Sequence, residues 1–154
     1  MTGLTLVIEE ESWRGHRGLQ AQLKRAAEAA CKTAKLRGDF TLLLTDNAKL
    51  KSLNKDFRRI NKPTNVLSFP SDEPGYHGDI AIAYGVTRDE AKASGKKFID
   101  HAVHLAVHGV LHLAGYDHER PKDAKVMEPL EVKILKRLGI ADPYAPTSTQ
   151  KVPQ

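Results

Sequence analysis

His108 and His112 stand four residues apart in a mostly apolar stretch, a spacing that puts both imidazoles on one face of a helix. Gly115 follows three residues later, where it can end that helix in a left-handed conformation, and the turned chain can then bring back His118. Three neutral imidazoles suit Zn2+ and leave its fourth tetrahedral position open, which is the arrangement of a catalytic metal rather than a structural one. The competing reading of histidines on an apolar helix is a buried polar cluster.

The spacing His108, His112, Gly115, His118 is also that of the metzincin peptidase motif, with one difference. Those peptidases carry a glutamate general base directly after the first histidine, and Gly109 stands there in this chain. Zn2+ can lower the pKa of a bound water to about 7 and can polarise a phosphoryl oxygen, so a hydrolytic site of this kind does not depend on such a base. His101 and His104 extend the stripe, since at about 100° per residue they fall on the same side as His108 and His112. His104 is a candidate substrate contact or support for a ligand, and His101 flanks the entrance. The other faces carry Val103, Leu105, Ala106, Val107, Val110, Leu111 and Ala114, so this helix is expected to run through the core with its histidine face opening on a cleft.

The elements that must position this helix follow from periodicity. Leu4 to Glu10 alternates as a strand, and a helix from about Arg17 to Lys35 carries Leu19, Leu23, Ala26, Ala27 and Ala30 inward, with Gly38 as its stop. Phe40 to Leu44 suits a central strand, and Asp46 caps a helix from Ala48 to about Phe57 with Leu50, Leu53 and Phe57 inward. Val66 to Phe69 and Ile80 to Ala83 are two further strands, followed by a helix over about Thr87 to Ser94 and the histidine helix from about Phe98 to Leu113. After Pro121 a last amphipathic helix carries Val126, Met127, Leu130, Ile134, Leu135 and Leu138 to Gly139; Met127 at this spacing reads as core. The fold class expected is α+β, a small mixed sheet of about four strands packed with about five helices around the buried histidine helix, zincin-like in outline. Residues 1–141 form a single domain in this reading and 142–154, with Pro143, Pro146 and Pro153, a mobile tail.

A chain of 154 residues can bury an ordinary core in one domain without cross-links. Cys31, the single cysteine, lies at helical spacing among alanines and reads as a small core residue of a reducing compartment. No basic segment followed by an apolar run opens the sequence, and no apolar run reaches membrane-spanning length, so a cytoplasmic protein is expected. A net charge of +5 favours a polyanionic partner. The cations cluster, with Arg14, Arg17, Lys24, Arg25, Lys32, Lys35 and Arg37 in one group and Lys49, Lys51, Lys55, Arg58, Arg59 and Lys62 in another. A solvated helix face would look the same.

The string from His108 to His118, together with Leu53-Asn54, Phe57-Arg58, Pro63 to Pro70 and Gly78-Asp79-Ile80, closely resembles the YbeY family of bacterial metal-dependent endoribonucleases, in register from about Leu4 to Leu138. The resemblance implies a four-stranded mixed sheet and one zinc per chain held by His108, His112 and His118. It also implies single-strand-specific cleavage in 16S rRNA 3′-end maturation and ribosome quality control. The implied partners are ribosomal RNA, the small ribosomal subunit with its proteins and a ribosome-assembly GTPase. Phe57 stands where the family commonly has Tyr and Asn61 where an Asp is frequent, which takes a phenol or carboxylate role away from those two positions.

The resemblance also implies a phosphate-facing arginine at Arg58, the candidate catalytic cation, and the role suits a guanidinium, which can meet two oxygens of a phosphodiester transition state at once; one more charge on a basic helix end is the competing reading. Asp117, beside the last ligand, can orient an imidazole or accept a proton, or simply bond to nearby backbone. Asn65 and Ser68, after the Pro63 turn, are candidate substrate contacts along with Arg58 and His104, and a purely structural turn is the competing reading. Two other functions stand beside the nuclease: a metzincin-like peptidase or amide hydrolase, and a non-catalytic ribosome-assembly factor with structural zinc. The first is weakened by Gly109 and the basic surface, the second by a ligand set of only three.

Overall fold

The computed structural model describes residues 2–117 and 120–144. Ten segments follow one another as β1 (Thr2–Ile8), a 3-10 turn (Glu11–Gly15), α1 (Leu19–Ala34), β2 (Gly38–Thr45), α2 (Asn47–Arg58), β3 (Val66–Pro70), β4 (Tyr76–Ala83), α3 (Tyr84–Ala93), α4 (Phe98–Leu113) and α5 (Pro121–Arg137). The sheet has the order β1-β2-β4-β3, with β1, β2 and β4 parallel and β3 antiparallel to β4. The expected α+β architecture with four strands and five helices is what the chain adopts.

Alternation along the two central strands assigns the layers. Phe40, Leu42 and Leu44 of β2 and Ile80 and Ile82 of β4 are buried against α1, α4 and α5. Ala81 and Ala83 face the other way, against Leu50 of α2 and Leu67 of β3, where Leu53, Phe69 and Val86 close a smaller core. Side chains two apart on a strand share a face, so both cores come from the same two strands. Trp13, fully buried in the 3-10 turn, donates its indole N–H to the Thr45 carbonyl at 2.9 Å and ties the end of β2 to the α1 side.

Helix α4 is the pivot of the molecule. It packs on α1, α3, α5, β3 and β4, and Ala102, Val103, Ala106, Val107, Val110 and Leu111 are all buried. Its approach to the sheet depends on Gly109, because a Cβ there would sit 2.6 Å from Cγ2 of the buried Ile80. The residue that sequence marks as a missing general base is therefore the point where helix and strand touch. At the other end of α4, Gly115 has φ 101°; the Gly115 N–H reaches the His112 carbonyl and the Tyr116 N–H the Leu111 carbonyl, both at 3.0 Å. These bonds are a Schellman stop, with the glycine in the role the sequence suggests.

Three expectations change in detail. Helix α1 closes on Lys35, left-handed at φ 57°, and Gly38 instead opens β2. Phe57 turns outward, 67% exposed, at the last turn of α2, with its ring against Phe69. On α5 the buried stripe is Met127, Glu131, Ile134 and Leu135, so Val126 points to solvent and a carboxylate lies inside. Beyond α5, Pro143 and Tyr144 are tied back: Lys96 donates to the Pro143 carbonyl at 2.9 Å, and the Tyr144 hydroxyl to Glu131. Among the described residues no helix is long and apolar enough to cross a membrane.

Candidate metal centre and its cleft

The histidine face of α4 looks out between the edge strand β3 and helix α5, as its amphipathic placement requires. The cleft there has a volume of about 520 Å³, and its walls include His104, His108 and His112 from α4, Arg58 from α2, Ser68 from β3 and Tyr144. His108 and His112 stand edge to face with ring centroids 4.6 Å apart, one helical turn separating them. Two imidazoles so placed can share one ion. His118, the third expected ligand, lies outside the described residues with Glu119, and among the described residues no group of three His, Cys, Asp or Glu side chains gathers as a metal site. The donor set that is described fits a zinc ion, because its nitrogens are of the right kind and the His108 ring is held by a buried carboxylate.

That carboxylate is Glu131, which the sequence reading missed. Its side chain is fully buried and accepts hydrogen bonds from Nε2 of His104 at 2.8 Å and Nδ1 of His108 at 2.6 Å. The Tyr144 hydroxyl donates to the same carboxylate. Burial pushes the Glu131 carboxyl up, but the hydrogen bonds from His104 and His108, the charge of His108 and the bond from Tyr144 outweigh it and hold the group down to about 2. Burial and Glu131 push the Tyr144 phenol upward in turn, so it stays a donor. With Nδ1 of His108 given to the carboxylate, Nε2 is the nitrogen that can bind a metal, and the ring is fixed in direction. A carboxylate in an apolar stripe, one turn from Met127 and Ile134, is the signal that could have found Glu131; Tyr144, in a segment read as tail, offered none.

The other expected residues divide. Arg58, exposed at the last turn of α2, reaches the cleft, and Asn54 one turn earlier anchors the chain beyond it by donating to the Lys62 carbonyl at 2.9 Å. Ser68 also lines the cleft, and its hydroxyl donates to the Gly109 carbonyl at 3.2 Å, tying β3 to α4. Asn65 accepts from the Val66 N–H at 2.6 Å and donates to Glu90 at 3.0 Å. His101 bonds to that same Glu90 oxygen through Nε2 at 2.9 Å, so Asn65 and His101 together fasten β3 and α4 to α3. His104 lines the cleft and donates to Glu131. Asp117 is half-buried two residues past Gly115.

A family model described as endoribonuclease YbeY matches residues 7–139. The chain is similar to the endoribonuclease YbeY of Nitrobacter hamburgensis, 46% identical with 92% of this chain and 81% of that protein covered. It is likewise similar to that of Rhodopseudomonas palustris strain BisB18, 45% identical with 91% and 90% covered. Among solved structures, the solution structure of TM1509 from Thermotoga maritima superposes with a TM-score of 0.63 at 27% identity, covering 94% of this chain and 99% of that one.

Proposed function

Because the chain belongs to the YbeY endoribonuclease family, we propose that it is a zinc-dependent, single-strand-specific endoribonuclease of the cytoplasm that matures the 3′ end of 16S rRNA and serves ribosome quality control. The observation that carries this reading is the pairing of His108 and His112, edge to face on one turn of α4, in a cleft that Arg58 also lines. In this reading His118 completes the ligand set and one zinc is bound per chain.

A zinc ion in that place supplies Lewis acidity toward water and a phosphoryl oxygen. The protein's own residues do the rest. Glu131 holds the His108 ring in one tautomer and one direction, and His104 and Tyr144 keep the carboxylate ionised and still. Arg58 brings a planar, permanently charged group to the phosphodiester, where negative charge spreads over the oxygens as the bond breaks. Asp117, next in sequence to His118, would in this reading take a proton or orient that ring. Ser68 and Asn65 shape the wall of the cleft along which the substrate strand lies. Ribosomal RNA within the small subunit, its proteins and a ribosome-assembly GTPase are the partners that this role requires.

The amide-hydrolase reading loses support at Gly109. A glutamate base at that position would drive its Cβ into Ile80, so the helix face that carries the base in metzincins is here committed to the sheet. The test of the nuclease reading is cleavage of a 16S precursor with its 3′ extension, in the presence of small subunits, by the wild type and by Arg58→Ala. The expected result is cleavage by the wild type and a loss of about 10²-fold in the variant at equal zinc content, the scale for removing one transition-state charge partner. A precursor left intact by zinc-loaded wild type while a peptide library is digested would overturn it.

A further inference from the structure

Phe57 presents most of its ring to solvent, the most exposed of the large apolar side chains among the described residues. An exposed phenyl by itself is ordinary, but three features set this one apart. It is backed: the Phe69 ring lies 5.0 Å away, tilted by 57°, so one part of Phe57 rests on β3 while the rest faces outward. The charge around it is mainly positive, since Lys55, Arg58, Arg59 and Lys62 are exposed at the end of α2 against the single carboxylate of Asp56, and none of the four cations is in an ion pair among the described residues. It adjoins the cleft, because Arg58 and Ser68, the chain neighbours of Phe57 and Phe69, both line it together with His108 and His112.

An apolar protein surface would leave those four cations without partners. A single nucleic-acid strand suits both halves of the patch at once, its phosphates meeting the cations and an unstacked base lying on the ring. We propose that Phe57, supported by Phe69, is a stacking subsite for one unpaired nucleobase next to the phosphodiester held in the cleft. This inference rests on the nuclease reading and adds to it a reason for preferring single strands: a base still in a duplex has no exposed face to offer. The ring needs no hydroxyl for this, so phenylalanine serves as well as tyrosine would.

The experiment uses the zinc-loaded full chain and a 2′-O-methyl oligoribonucleotide, which resists attack through the 2′ position, carrying 2-aminopurine at one position in turn. Wild type, Phe57→Ala and Phe57→Tyr are compared for Kd, for quenching of the fluorescent base and for affinity toward a duplex of the same sequence. The expected result is about tenfold weaker single-strand binding in Phe57→Ala with loss of quenching at one register, restoration in Phe57→Tyr, and unchanged duplex binding, since removing one stacking partner acts on that scale. Because Phe57 is exposed, an unchanged thermal unfolding curve accompanies the loss. Single-strand binding by Phe57→Ala within twofold of wild type, or equal losses on single strand and duplex, overturns the subsite and leaves the nuclease reading standing. A wild type that neither binds the oligonucleotide nor cuts RNA overturns both.

Discussion

Glu131→Gln replaces one carboxylate oxygen by an amide nitrogen and keeps the side chain's shape, yet the hydrogen-bond pattern around it cannot absorb the change. The native carboxylate offers two acceptors to two imidazole donors, His104 at 2.8 Å and His108 at 2.6 Å. Glutamine has one acceptor and one donor there. If its NH2 faces His108, Nδ1 must become the acceptor and the ring proton moves to Nε2, the nitrogen needed for the metal. If it faces His104, the proton moves to His104 Nδ1, a buried atom with no hydrogen-bond partner among the described residues, and burying that unpaired donor costs about 1–3 kcal/mol. Zinc affinity is therefore expected to fall about 10- to 100-fold, measured by competition with a chromophoric chelator. Urea unfolding of the metal-free protein at neutral pH is expected to show a loss of about 1–3 kcal/mol, the cost of leaving one buried imidazole donor or amide group without its partner. The sign follows from linkage: a depressed carboxyl stabilises the fold fully above pH 4.5 and loses that contribution as pH falls toward 2, so wild type and variant converge in acid. A Glu131→Gln protein with native zinc affinity and native stability would refute the role assigned to this carboxylate.

Two further perturbations test the frame around the site. Gly109→Ala is expected to destabilise the protein, because overpacking against Ile80 costs about 1–3 kcal/mol while helix propensity returns only about 1 kcal/mol. Placed on Ile80→Ala, the same substitution should turn stabilising, and a denaturation cycle that shows no such reversal contradicts the close approach of α4 to β4. Burial pushes the His101 imidazole below its usual 6.5, against the pull of the Glu90 hydrogen bond and charge and with the help of His104 and Lys96. A group neutral in the fold and protonated in the unfolded chain gives stability above pH 6.5 that drains away as pH falls below it. Unfolding midpoints should therefore drop from about pH 7 to about pH 5.5, with a shallower slope in His101→Gln; equal slopes would remove His101 from the account.

What the sequence disclosed was local, and what it withheld came from distant contacts. Helix α4, its Schellman stop at Gly115 and the Asp46 cap, which accepts the Lys49 N–H at 2.8 Å, each depend on residues within one or two turns. The alternation in β2 and β4 is equally local, and it places both cores. Glu131 reaches His108 across 23 positions and Tyr144 reaches His104 across 40, so no window of periodicity contains them. Phe57 fits the apolar stripe of α2 by spacing and still points outward, because burial depends on where the sheet ends. Gly109 shows the converse: its meaning as a missing base was legible, while its packing role appears only once Ile80 lies beneath it.

The most direct test of the central claim is zinc content by elemental analysis of the purified wild type and of His112→Ala, with 16S precursor cleavage scored on the same samples. The expected result is close to one zinc per chain and cleavage in the wild type, and loss of both in His112→Ala with its circular dichroism spectrum retained. Equal cleavage by the two proteins, with no metal bound to either, would contradict the assignment of the α4 histidines as a catalytic metal centre.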